Sequence, residues 1–287
     1  MLRLAAIALP FLLAACLRAD LAPAVALFNE KRYPEAEAAF AAEAATNPRN
    51  ATAHYYLGLL ARLRQQFDDA VPHFEKAVAL APDVPEHQAD FGGTCLTYAG
   101  RLGMSFRALG LARKGRTALE KAVSLAPDNV TYRQWLAEFY SRAPGMVGGG
   151  MDKAYAQVEE IKRRDSYAGT QMLAQLKSQE KHYSEAFALW DELLRERPDD
   201  YRTLYQIGRT AASSGQQLER GESSLRRCLD LVPPADGAQH THVQKRLGDI
   251  LGQRGDIPGA RAAYQAALEL DSGNKPAAEA LAKLPND

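Results

Sequence analysis

Residues 53–83 read AHYYLGLLARLRQQFDDAVPHFEKAVALAPD, a stretch in which small and bulky side chains stand at fixed distances. Gly58 and Ala70 fall where two helices must pass closely, because a larger side chain at either point would push the backbones apart. Leu57, Ala61, Phe67, Phe74 and Ala77 supply the rest of a shared apolar seam. Pro82 ends the second helix, since its nitrogen cannot donate the next backbone hydrogen bond. The stretch predicts one helical hairpin.

The same marks return along the chain at close to 34 residues, the sign of a stacked array. Ala36, Phe40 and Pro48 mark an earlier copy, and Pro48 to Pro82 is one period. A third copy closes eleven residues late, at Pro127, and a fourth carries Leu136, Ala137, Tyr140 and Ala154 and ends near Ser166. Tyr183, Ala186, Trp190 and Pro198 restore the register in the fifth, and Ile207, Gly208, Gly221, Leu225 and Pro233 continue it. Leu247, Gly248, Leu251, Ala260, Tyr264 and Ala267 form the last, followed by PAAEALAKL, a terminal cap. The expected organisation is residues 1–16 as a leader and 17–287 as the array. Its copies fall at about 17–50, 51–84, 85–129, 130–166, 167–200, 201–235 and 241–274, with a cap at 275–284. A single hairpin cannot bury its own apolar face, so the copies must stack to be stable.

These positions resemble the tetratricopeptide repeat (TPR) family. The resemblance implies an all-α fold, a right-handed superhelical solenoid of about seven helix-turn-helix repeats with a C-terminal capping helix. It also implies a concave wall built from the first helix of each pair, where ligands of the family usually lie.

With 24% charged and 46% hydrophobic residues the chain has the composition of a folded protein, and its 35 basic and 35 acidic residues balance. A nucleic-acid binder would usually present a basic excess, so no nucleic-acid partner is expected. Besides Cys16, only Cys95 and Cys228 are present, both at small-residue packing positions several repeats apart, so they are expected as buried thiols outside disulfide reach.

Met1 to Cys16 reads MLRLAAIALPFLLAAC, one basic residue followed by an apolar run too short to span a bilayer. That is the core of a signal peptide. Leu13, Ala14, Ala15 and Cys16 resemble the bacterial lipoprotein box, which implies lipidation of Cys16, palmitate included. With Leu17 rather than Asp next, the resemblance implies an outer-membrane lipoprotein facing the periplasm. Cleavage after Ala15 or Ala19 without a lipid, or an uncleaved apolar helix, are the alternatives.

Two segments depart from the 34-residue spacing. The third copy holds eleven extra residues within TYAGRLGMSFRALGLARKGRTALEKAV, almost a whole number of helical turns, so a helix lengthened by that amount keeps its packing face. Arg101, Arg107, Arg113, Lys114 and Arg116 make it a basic cluster, either a solvated helix end or a contact for anionic lipid or an acidic partner. The fourth copy is broken by Pro144, Gly145, Gly148, Gly149 and Gly150. A phosphate-binding loop would need a lysine and a hydroxyl after its glycines and a strand before them, whereas Met151, Asp152 and Lys153 follow here. Pro144, Gly148, Gly149, Lys153 and Ala154 are similar to a variant turn of bacterial TPR proteins, including lipoproteins that accompany solute uptake, and the glycines predict a widened turn before a helix starting at Asp152.

By the register of the resemblance, the concave wall takes Leu21, Val25 and Phe28, then Tyr55, Leu59 and Arg62. Gln134, Glu138, Gln171, Gln175 and Gln179 follow, and Arg202, Tyr205, Arg209, His242, Lys245 and Asp249 complete it. It runs from apolar through amide to mostly basic, which suits an extended peptide with apolar and acidic parts. The lysine and asparagine clamp with which some family members hold a terminal carboxylate is missing, its places taken by Leu21, Val25, Tyr55, Leu59, Ala89 and Gly93. None of the six histidines forms a metal-binding His-Glu-x-x-His pair, no Gly-x-Ser-x-Gly elbow is present, and the acidic pairs are consecutive on helices. No metal, cofactor or catalysis is expected. The expected role is a protein-interaction scaffold of the bacterial cell envelope; the alternative is a periplasmic small-molecule binder serving a solute uptake system.

Overall fold

The computed structural model describes residues 20–235 and 237–285. Among them are fifteen α-helices, one 3-10 turn and no strand. They divide into two compact units, one ending at Leu125 and the other beginning at Ala126.

The first unit holds three hairpins: α1 (Ala22–Asn29) with α2 (Tyr33–Thr46), α3 (Ala51–Leu63) with α4 (Phe67–Leu80), and α5 (Pro85–Leu102) with α6 (Phe106–Leu125). The second holds α7 (Val130–Arg142) with α8 (Met151–Arg164), α9 (Ser166–Gln179) with α10 (Tyr183–Glu196), α11 (Tyr201–Ser214) with α12 (Leu218–Leu229), α13 (His240–Gln253) with α14 (Ile257–Leu270), and α15 (Lys275–Ala282). Within each unit every helix packs on its neighbours in sequence, and in the second the first helices also meet, α7 with α9, α9 with α11 and α11 with α13.

The seams are as tight as the small residues demand. A Cβ added at Gly58 would sit 2.9 Å from the Phe74 ring, at Gly208 2.2 Å from Leu225, and at Gly248 2.5 Å from Tyr264. Ala36, Ala70, Ala186 and Ala260 are fully buried on the partner helices, beside Phe40, Phe74 and Trp190. Helix starts are fixed by side-chain caps: Asn50, Asn129, Asp165, Asp200, Asp256 and Asn274 each accept the N–H three residues on, at 2.8–3.2 Å. Cys95 and Cys228 are buried free thiols, and burial pushes both up to about 12. That keeps them protonated and inert.

Four hairpins share one three-residue turn whose middle residue is left-handed: Lys31, Gln65, Lys181 and Gly255, with φ between 60° and 82°. The N–H that follows reaches back around the helix end, as from Gln66 to the Ala61 carbonyl at 2.9 Å and from Asp256 to Leu251 at 2.9 Å. A second recurring tie uses the residue six after a closing proline. His54 Nε2 bonds the Pro48 carbonyl at 3.1 Å, Gln88 Nε2 donates to Pro82 at 3.0 Å, and Arg133 Nε donates to Pro127 at 2.8 Å. Each satisfies a loop carbonyl that the end of a helix leaves unpaired.

The eleven-residue insertion corrects one expectation. It does not lengthen a single helix: α5 runs to 18 residues and α6 to 20, against 13 and 14 in α3 and α4. The added length is shared by both arms, 98–102 and 106–111, so the whole hairpin is extended. Gly92 and Gly115 still cross at its base, each with a Cβ position about 3 Å from the other's carbonyl oxygen.

Candidate functional site

The first helices carry the residues expected to line a binding wall, and the two units treat them differently. In α3, the Tyr55 hydroxyl donates to Asp90 at 2.6 Å and Arg62 donates to the same carboxylate at 2.6 Å. Tyr55 also stacks on His87, ring centroids 4.4 Å apart, and Arg62 lies over the Phe74 ring. Burial, then the hydrogen bond to Asp90, pushes the Tyr55 phenol far above its usual range. Asp90 thus ties α3 to α5, and the two candidates are held in a cross-hairpin lock. Leu59 is corrected more sharply. It is 9% exposed and belongs to the core with Phe67, Phe74, Phe91 and Cys95, because the next hairpin covers it. Leu21, Val25 and Phe28 pack half-buried against the core around Phe40.

In the second unit the wall is open. Gln134 is half-buried on α7, and Glu138 is exposed and pairs with Arg142 one turn on, at 3.2 Å. On α9, Gln171 and Gln175 are half-buried, and Gln171 reaches Asp200 and Thr203 at 3.4 Å. Gln179, at the end of α9, donates to the Ser141 carbonyl at 2.6 Å. On α11, Arg202 and Arg209 are exposed and Tyr205 half-exposed between them, at intervals of three and four that put all three on one face. Arg209 contacts only the neutral Gln206, at 3.3 Å, among its described hydrogen bonds. On α13, Lys245 and Arg246 converge on Asp249 at 2.8 and 3.3 Å, and Tyr264 donates to that carboxylate at 2.9 Å. Burial, and then Asp249, raise the Tyr264 phenol. His242 is exposed and accepts the Gln239 N–H at 3.2 Å, which caps α13.

The result is a strip across α9, α11 and α13 with amides on one side and cations on the other. Asp249 offsets part of the charge on α13, whereas on α11 Arg209 faces only a neutral amide among its described hydrogen bonds. Asp90 and Arg246 were not among the residues singled out by sequence. Asp90 had a faint signal, since it stands one repeat plus one residue after Tyr55.

The glycine-rich segment does something else. A 3-10 turn over Gly145–Val147 buries Val147, and four successive N–H groups are used internally. Val147 donates to Pro144, Gly148 to Gly145, Gly149 to Pro144 and Gly150 to Tyr140, at 2.8–3.2 Å. Lys153 closes the turn by donating to the Gly148 carbonyl at 3.0 Å while lying over the Tyr140 ring. Gly149 is required by contact, because a Cβ there would fall 1.8 Å from the Ala143 oxygen. Gly148 is left-handed, with φ 94°. The next helix begins at Met151, with Gly150 as its cap residue. The loop is a buttress folded against the end of α7, with its amides turned to protein carbonyls.

Cys16 and the leader lie outside the described residues. Among the described residues no helix is long and apolar enough to cross a membrane, and no group of three His, Cys, Asp or Glu side chains is placed to hold a metal.

A family model of the tetratricopeptide repeat matches residues 14–85 and 244–284, and a second model of the same repeat matches 96–129. No curated protein matches the chain. Among solved structures, a tetratricopeptide repeat protein from Parabacteroides merdae superposes with a TM-score of 0.73 at 12% identity, over 91% of this chain and 96% of that one. Yeast Tom70 gives 0.66 at 15% identity, over 88% of this chain and 51% of its own. PilF of Pseudomonas aeruginosa gives 0.52 at 14% identity, over 83% of this chain and 100% of its own. At such identities the likeness is one of fold.

Proposed function

The chain belongs to the tetratricopeptide repeat family, and from that premise we propose that it is a non-enzymatic scaffold of the bacterial cell envelope that holds an extended segment of a partner protein. Proteins of this fold serve generally in protein–protein interaction. The site we assign is the strip across α9, α11 and α13 in the second unit. The observation that carries it is the face of α11, where Arg202, Tyr205 and Arg209 stand outward together. An extended peptide would lay its backbone along the amides of Gln171 and Gln175, stack a side chain on Tyr205, and turn carboxylates toward Arg209. Cations that already face solvent lose little on meeting such a partner, and the aromatic ring between them adds apolar contact area.

Envelope placement rests on the sequence of the first sixteen residues, with a lipid on Cys16 as anchor. Growth with labelled palmitate should mark the wild type and leave Cys16→Ala unmarked; equal labelling of both removes the anchor from the account.

The scaffold role is tested by crosslinking in the envelope, recovery of the partner, and calorimetry with the segment that crosslinks. Tyr205→Ala combined with Arg209→Ala should weaken binding by about tenfold or more, as for an aromatic and arginine pair at the centre of an interface. Unchanged affinity would move the site elsewhere.

A further inference from the structure

The extended third hairpin ends in a feature that peptide binding does not use. Its apex, between α5 and α6, exposes Met104 at 97% and Phe106 at 95%. They are the two most exposed large apolar side chains among the described residues. The apex is also built to hold them there. Gly103, with φ 60°, turns the chain out of α5, and the Ser105 hydroxyl accepts the Ala108 N–H at 3.1 Å to start α6. Tyr98 stacks on Phe67 and donates to Asp68 at 2.7 Å, and Arg101 lies over the Phe67 ring while donating to Gln65 at 3.0 Å. These contacts, with Leu102 and Leu111 packed in the same cluster, brace the extra length against the second hairpin and leave 103–107 at its end.

The tip is also narrow. Cβ atoms at Gly100, Gly103 and Gly110 would meet nothing within 4 Å, so these glycines leave bare backbone around the apex. From Phe91 to Leu119 the sequence holds five basic residues and no acidic one. Arg107 pairs with Asp68, Lys114 with Glu75 and Arg116 with Glu120, all on the hairpin stem or the neighbouring α4. Arg101 meets only a neutral amide and a ring among its described partners, so its charge is uncompensated.

We propose that this apex is a docking wedge for an anionic phospholipid bilayer. Met104 and Phe106 enter the apolar margin of the membrane, and Arg101 rests among the phosphates. A wedge of two apolar side chains needs no matching pocket in a bilayer, whereas a stable protein interface needs about 800 Å² on each side, more than a tip this slender presents. Apolar insertion beside cations is the arrangement by which surface segments hold acidic membranes. The proposal is independent of the peptide strip and of any lipid on Cys16.

The test uses the full chain as Cys16→Ala, so that no acyl chain reports for the tip, and carries Phe106→Trp as a depth probe. Vesicles contain phosphatidylglycerol with brominated or plain acyl chains, or phosphatidylcholine alone. The tryptophan at position 106 should be quenched by bromine in the anionic vesicles and much less in the neutral ones, above the background of Trp135 and Trp190. Adding Arg101→Gln should lower the vesicle binding constant, read from the lipid titration of quenching, by about fivefold, the effect of one cation near an anionic surface. Circular dichroism should match wild type, because both positions are exposed. Emission that ignores brominated lipid overturns the proposal, as does a crosslink from position 106 to a protein partner with the vesicles unquenched.

Discussion

The third and fourth hairpins both break the 34-residue period, and they do so in opposite directions. The third adds its residues as two helical arms and projects, ending in Met104 and Phe106 almost wholly in water. The fourth adds its residues as a proline and glycine turn that folds back, burying Val147 and using its own amides on Pro144, Gly145 and Tyr140. Extra chain that keeps helical phase must go outward along the hairpin axis. Extra chain that leaves helical conformation must find other acceptors for its N–H groups, and the nearest are carbonyls at the end of the preceding helix. Glycine serves opposite ends in the two places: it thins the projecting tip and permits close contact in the buttress.

Substitutions separate the two cases by size of effect. Gly149→Ala should cost about 2–3 kcal/mol in chemical unfolding, since its Cβ overlaps a fixed carbonyl; a neutral result would mean the turn does not lean on α7. Gly103→Ala meets open space, so only its backbone angles resist, and about 1–2 kcal/mol is expected. Lys153→Ala removes one hydrogen bond and one ring contact from the buttress and should cost about 1 kcal/mol. Met104→Ser with Phe106→Ser should change stability by less than about 0.5 kcal/mol, as fits residues that pack on nothing. A larger loss there would make the tip a structural element and erase the contrast.

How much of this was legible in the chain depends on the range over which each constraint acts. Gly58 against Phe74 and Gly248 against Tyr264 are contacts inside one hairpin, and fixed spacing reports them faithfully. The lock of Tyr55 and Arg62 on Asp90 spans 35 and 28 residues, and many polar pairs at those offsets never meet, so the near-repeat spacing of Tyr55 and Asp90 gave only a faint signal. Leu59 misled for a related reason: its cover comes from the next hairpin. The division of the insertion between α5 and α6 was hidden because eleven residues in one helix, or five and six in two, both keep the seam in register. The strip on α11 was readable because its residues lie one turn apart on a single helix.

Hydrogen exchange read by mass spectrometry on the intact chain is the most direct check on the contrast between projection and fold-back. The account predicts slow exchange for the Gly148, Gly149 and Gly150 amides despite their composition, slow exchange in both arms of the long hairpin up to Leu102 and from Ala108 on, and immediate exchange confined to 103–107, where the first amides of α6 have no acceptor among the described residues. Free exchange throughout 144–150, or across 98–111, would contradict it.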